Sequence, residues 1–221
     1  MNWLTNNLDV VAGHTLSHLL LALPPIVASF VLAIPLGWLA NRVRWLRTPL
    51  LTGAGLTYAI PSLPLFVVLP IILGTGLRDP VNIIVALTVY GLALMVPAAA
   101  DALAQVDART LDAADALGYP RLRRFLTVDL PLAGPTLLAG LRVVAVSTVS
   151  LVTVGAVLGI GSLGLLFTDG FQRGIIAEVL TGIVATVALA LLVDAALVVL
   201  GRLVLPWTRP VRVPALPAVV S

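Results

Sequence analysis

Residues 101–142, DALAQVDARTLDAADALGYPRLRRFLTVDLPLAGPTLLAGLR, gather Asp101, Asp107, Arg109, Asp112, Asp115, Arg121, Arg123, Arg124, Asp129 and Arg142 in a chain that is only 10% charged. A segment this polar must meet water, whatever surrounds the rest of the chain. Its first half, 104–117, consists of good helix formers with Leu111, Ala114 and Leu117 at three-residue spacing, which predicts an amphipathic helix. Gly118 ends it. Pro120 suits the first position of a second short helix, 120–128, which Pro131 is expected to stop. The pattern is helix, glycine turn, helix, within a loop spanning 104–135.

Outward from this loop the sequence turns apolar. The chain has 221 residues, is 60% hydrophobic, and has a mean hydropathy of +1.11, too little polar surface to cover a water-soluble globule. Charge-free stretches at 10–41, 48–77, 80–100 and 143–168 each reach the roughly 20 residues that cross a hydrocarbon layer. A fifth apolar stretch, 175–205, carries Glu178, Asp194 and Arg202, and only a helix satisfies its backbone in lipid. The expectation is an all-α integral membrane protein, a single transmembrane domain of five helices at 14–40, 51–74, 81–103, 136–160 and 176–205, with a tail at 206–221. Pro24, Pro25 and Pro35 in the first helix and Pro61, Pro64 and Pro70 in the second predict kinks toward a protein-lined space.

All thirteen basic residues are arginines. With five spans, eleven of them lie at or inside the cytoplasmic boundary, and only Arg78 and Arg173 lie outside. This places the N-terminus outside and the C-terminus in the cytoplasm, and it explains the net charge of +3 through anionic lipid headgroups, with no nucleic acid required. The opening residues MNWLTNNLDV lack a basic n-region and read as part of a retained helix. Cysteine is absent, which excludes disulfides and thiolate sites. Lysine is absent as well, so no phosphate-binding G-x-x-x-x-G-K-[ST] loop is possible and any ATP must bind elsewhere.

The stretch Asp112-Ala113-Ala114-x3-Gly118-x9-Val128-x-Leu130-Pro131 resembles the cytoplasmic "EAA" motif of ABC-importer permeases, E-A-A-x3-G-x9-I-x-L-P, with Asp112 one methylene shorter than the usual glutamate. Ala59-Ile60-Pro61-Ser62-Leu63-Pro64-Leu65-Phe66 resembles the T-I-P-S-L-A-L-F stretch of osmoprotectant permeases, and Gly159-Ile160-Gly161-Ser162-Leu163-Gly164 resembles their G-A-G-G-L-G segment. The resemblance covers about residues 50–175. It implies a type I importer fold in a prokaryotic plasma (inner) membrane, with Asp112, Ala113, Ala114, Gly118, Leu130 and Pro131 coupling the chain to a separate ATPase subunit. It further implies a second permease subunit, identical or related, and an external substrate-binding protein on a separate chain, since only the short tail follows the last helix. ATP and magnesium would sit on the partner, and this chain would bind no cofactor and catalyse no reaction. The substrates expected are glycine betaine, choline, carnitine or proline betaine. An amino acid such as methionine is the alternative within transport.

Tyr58, Ser62, Phe66 and Tyr90 are candidates for lining the translocation path, because aromatic faces attract quaternary ammonium; core packing is the competing explanation for each. Asp194 lies deep in the fifth helix, where an ionised carboxylate costs at least about 2.5 kcal/mol unless it faces protein or water. Gating, or bonding to a partner such as Arg142 or a serine on the fourth helix, would both account for it. Glu178, nearer the membrane boundary, is expected to be easier to solvate. His14 and His18 have metal-ligand spacing but no clear third ligand, so they read as an interfacial pair without metal. An integral-membrane metalloenzyme would need ligands gathered at one depth, and a passive channel would leave the loop without a purpose.

Overall fold

A computed structural model describes residues 2–208, and most of the tail expected at 206–221 lies outside the described residues. The chain enters through a short helix α1 (Asn2–Asn6) and continues into α2 (Leu8–Arg42), α3 (Arg44–Ala59), α4 (Ser62–Leu73) and α5 (Pro80–Ala104). The charged loop follows as α6 (Ala108–Ala116) and α7 (Arg121–Arg124), leading to α8 (Leu130–Val152), α9 (Gly164–Arg173) and α10 (Ile176–Val204). Among the described residues four helical stretches are long and apolar enough to span a membrane, and a fifth span arises if α3 and α4 are taken together.

Three of the expected spans change shape. The first begins at Leu8 rather than 14 and runs 35 residues, straight through Pro24, Pro25 and Pro35. The second begins at Arg44 rather than 51, and it is not one helix, because α3 and α4 meet at 105°. Pro61 removes an N–H and pushes the residue before it out of helical geometry, and Ile60 accordingly adopts φ −67°, ψ 127°. The fourth does not begin at 136. A π turn, Phe125–Asp129, joins α7 to α8, so the helical rod runs Arg121–Leu158. Pro131 therefore does not stop the second loop helix. The Leu130 N–H reaches back to the Phe125 carbonyl, and this widened turn admits the proline ring at the start of α8.

The core lies where α2, α5 and α8 meet, around Ile83, Leu87, Met95, Val144 and Val149. Small residues bring α2 and α5 together: a Cβ on Gly37 would sit 2.7 Å from the Ala100 backbone nitrogen, too close for any side chain. At the same end the Asn41 amide donates to the Ala100 carbonyl at 2.7 Å. His18, fully buried, lies 2.9 Å from the Val149 carbonyl through Nε2, which must donate, and this ties α2 to α8. It is thus a core residue rather than half of an interfacial pair. Its neighbour His14 turns toward a cleft at the far end of the bundle.

After α8 the rod tightens into a 3-10 turn, Thr153–Leu158, and Gly159 reverses the chain at φ 77°. The glycine-rich segment then packs directly on that turn, where a side chain at Gly164 would overlap the Thr153 carbonyl. Helix α9, which falls between the fourth and fifth expected spans where the sequence pattern predicts no helix, lies against α10. Most of α10 is exposed, leaving a long apolar surface for lipid or another subunit.

Candidate functional site

The charged loop is shorter and better capped than its composition implies. Ala104 belongs to α5, and the Asp107 side chain opens α6 by accepting from the Arg109 N–H at 3.0 Å. At the other end the Gly118 N–H bonds to the Asp115 carbonyl at 3.0 Å and the Tyr119 N–H to the Ala114 carbonyl at 3.2 Å. These paired bonds form a Schellman closure, which needs a left-handed residue, and Gly118 supplies it at φ 79°.

One arginine fastens this turn to the membrane helices. Arg124 donates to Asp115 on α6 at 2.5 Å, while its Nε lies 3.4 Å from the buried Asp129 at the foot of α8. Beside it Phe125 meets Trp38 edge-on with ring centroids 6.0 Å apart, and the Arg42 guanidinium stacks 5.1 Å above the Trp38 ring. These contacts connect α6 with both α2 and α8. The outward surface carries Asp112 and Ala113 together with Leu117, 78% exposed, and Leu122, 71% exposed. The exposed tip of the loop thus carries two large apolar side chains together with a carboxylate.

Ala113 and Ala114 differ in burial. Successive helical residues point about 100° apart, and only Ala114 turns inward, against the base of the loop. Leu130 and Pro131 are half-buried and line an apolar groove with Phe30, Gly134 and Leu205.

The four aromatic and hydroxyl candidates also separate. Phe66 is wholly buried and Tyr90 nearly so, and neither presents a ring to solute in this protomer. Tyr90 instead donates its hydroxyl to the Ile60 carbonyl at 2.6 Å and packs edge-on against Tyr58. Tyr58 is exposed and Ser62 half-buried, so these two remain beside the bend on an open face. Asp194 meets Arg142 in a two-pronged ion pair, Nε to Oδ1 at 2.6 Å and Nη2 to Oδ2 at 2.7 Å. The pair borders an open cleft between α8 and α10 that Ser147 and Ser150 also line.

At the end of the bundle opposite the loop lies a cleft of about 780 Å³ between the start of α2 and α9. Trp3, His14, Arg78, Asp169, Arg173 and Glu178 line it. Arg173 bonds Asp169 at 3.0 Å, which pushes its guanidinium above the ordinary range, and it approaches Glu178 at 3.8 Å. Glu178 is not the easily solvated residue its position implied: it is 3% exposed, and its Oε2 has no hydrogen-bond partner. Hydropathy concealed this site because its members are far apart in sequence. Among the described residues no cluster of three or more acidic, histidine or cysteine side chains is placed to hold a metal.

Residues 26–210 match the family described as "Binding-protein-dependent transport system inner membrane component". The osmoprotectant import permease protein OsmW of Salmonella typhimurium is 28% identical over 197 residues, 88% of this chain and 91% of its own. The carnitine transport permease protein OpuCD of Listeria monocytogenes is 26% identical over 178 residues, 80% of this chain and 78% of its own. In fold, the chain matches a subunit of the inward-facing MetNI methionine ABC transporter with a TM-score of 0.78 at 23% identity, covering 89% of this chain and 97% of that one. The chain belongs to the inner membrane components of binding-protein-dependent transport systems, and it has the type I ABC importer permease fold.

Proposed function

We propose that this permease imports osmoprotectant quaternary amines such as glycine betaine, choline, carnitine or proline betaine. The substrates named for its similar relatives support that class. The loop supports the mechanism, and the observation that carries it is the Arg124 bridge from α6 to the foot of α8. The arginine-rich end faces the cytoplasm and the cleft at the other end faces outward, following the asymmetry of the positive charge. A separate ATPase subunit grips Asp112, Ala113, Leu117 and Leu122, binding ATP and magnesium itself. Two permease subunits, identical or related, enclose the path, with Tyr58, Ser62 and the Arg142–Asp194 pair on the faces between them. An external binding protein delivers solute at the opposite end. Closure of the ATPase pair on ATP draws the two loops together, closes the inner side and opens the outer one, and hydrolysis reverses the motion.

The test is uptake of labelled glycine betaine and choline into vesicles holding the whole complex, with ATP inside and the binding protein outside, comparing wild type with Gly118→Asp. Accumulation that needs ATP and is lost in the variant supports both substrate class and coupling site. Accumulation of methionine alone would leave the fold intact and overturn the substrate class.

A further inference from the structure

The outward cleft joins chemistry from four separate parts of the chain. Trp3 is held there because α1 lies against α10 and the Asn7 amide bonds the Trp3 carbonyl at 2.7 Å. Arg78 comes from the turn before α5, Asp169 and Arg173 from α9, and Glu178 from the first turn of α10. The charges are unevenly committed. Arg173 neutralises Asp169 directly but stands 3.8 Å from Glu178, whose buried Oε2 lacks a hydrogen-bond donor. Arg78 is exposed, lies against Gly159 and forms no ion pair among the described residues. One end of the cleft therefore holds two carboxylates around a single guanidinium, near an indole, and the other offers an uncommitted guanidinium.

We propose that this cleft is a binding site for a small zwitterion, with the ammonium group beside Glu178, Asp169 and the Trp3 ring and the carboxylate on Arg78. The proposal rests on the substrate class argued above and adds a receiving site on the permease itself, at the point where the binding protein releases its cargo. Its volume of about 780 Å³ lies within the range typical of small-molecule sites. A methylated ammonium cannot donate hydrogen bonds, so an aromatic face and carboxylates nearby are the groups that recognise it. A guanidinium supplies the matching fork for the carboxylate. The cleft is open and contributes few groups at each end, so binding is weak and the solute moves on.

The experiment uses the permease–ATPase complex in nanodiscs without binding protein, and it follows labelled glycine betaine by equilibrium binding. Arg78→Ala and Trp3→Leu should each weaken binding roughly tenfold, the loss of one charge-assisted or cation–π contact. Arg78→Lys should recover part of the loss. Tetramethylammonium, which has no carboxylate, should bind wild type and Arg78→Ala equally well. Arg78 is exposed, so this variant retains the fold even if Glu178→Gln does not. Equal glycine betaine binding by wild type and both variants overturns the site, and if binding-protein-dependent uptake persists in that case the proposed function stands. If Arg78→Ala leaves glycine betaine binding unchanged and a separate titration with the binding protein shows weakened affinity for that protein, the site is overturned as well and Arg78 is a docking contact. If the wild-type complex transports no quaternary amine at all, the substrate class fails and the site with it.

Discussion

The Tyr90 hydroxyl on α5 donates to the Ile60 carbonyl at 2.6 Å, where α3 and α4 meet at 105°. A bend in a membrane helix frees backbone carbonyls that lipid cannot satisfy, and it persists only where protein supplies the missing donor. Tyr90 is that donor. Tyr90→Phe keeps the ring and its edge contact with Tyr58 but leaves the carbonyl bare. The expected cost is about 1–2 kcal/mol. Thermal unfolding of the purified protein in detergent measures it, and an unchanged midpoint would mean that water already serves the carbonyl.

Arg142 and Asp194 satisfy one another across α8 and α10 at the edge of an open cleft lined largely by apolar side chains. Removing either charge strands the other, a larger penalty than never having had the pair. Asp194→Asn and Arg142→Gln should each lower the yield of folded, monodisperse protein sharply. The exchange Arg142→Asp with Asp194→Arg should restore much of it. Size-exclusion profiles of the three variants decide the matter, and failure of the exchange with normal singles would assign the residues to gating rather than to assembly.

The loop, its glycine turn and the option of an Arg142–Asp194 pair were legible in the sequence because each depends on local composition or on one-dimensional depth. The bend at Ile60 was only half legible. Three prolines within residues 61–70 predict distortion, but those at 24, 25 and 35 leave α2 unbroken, and the Tyr90 donor opposite the bend comes from another helix, where no local pattern records it. Helix α9 was hidden because a ten-residue segment carrying Asp169 and Arg173 is too short and too polar to register as a span. The burial of Glu178 was hidden for another reason. Its surroundings come from α9, which folds back over it, and no pattern along α10 records that.

Gly118 sits at φ 79°, with open space where a Cβ would be. Substitution therefore meets no steric clash, only the strain of a left-handed backbone. Gly118→Val should cost about 1–2 kcal/mol, leaving the membrane helices folded while it disrupts the Schellman closure. Circular dichroism near wild type, with loss of ATPase co-purification, is the expected result. Retained co-purification would show that docking tolerates a remodelled turn.

Arg124 separates docking from transmission, because its contacts with Asp115 and Asp129 lie behind the exposed face that Leu117 and Leu122 present. Arg124→Ala leaves the docking face in place but cuts the bridge between α6 and α8, so the ATPase should still bind. ATP hydrolysis should then continue while solute transported per ATP falls by about fivefold or more, the range of coupling free energies between linked sites. Leu117→Ser acts on the other side of the loop and should reduce ATPase binding and uptake together. Hydrolysis and uptake measured on the same vesicles distinguish the two variants. Equal losses of both activities in Arg124→Ala would place this arginine in docking and leave the Trp38–Phe125 contact as the remaining route from α6 into the membrane.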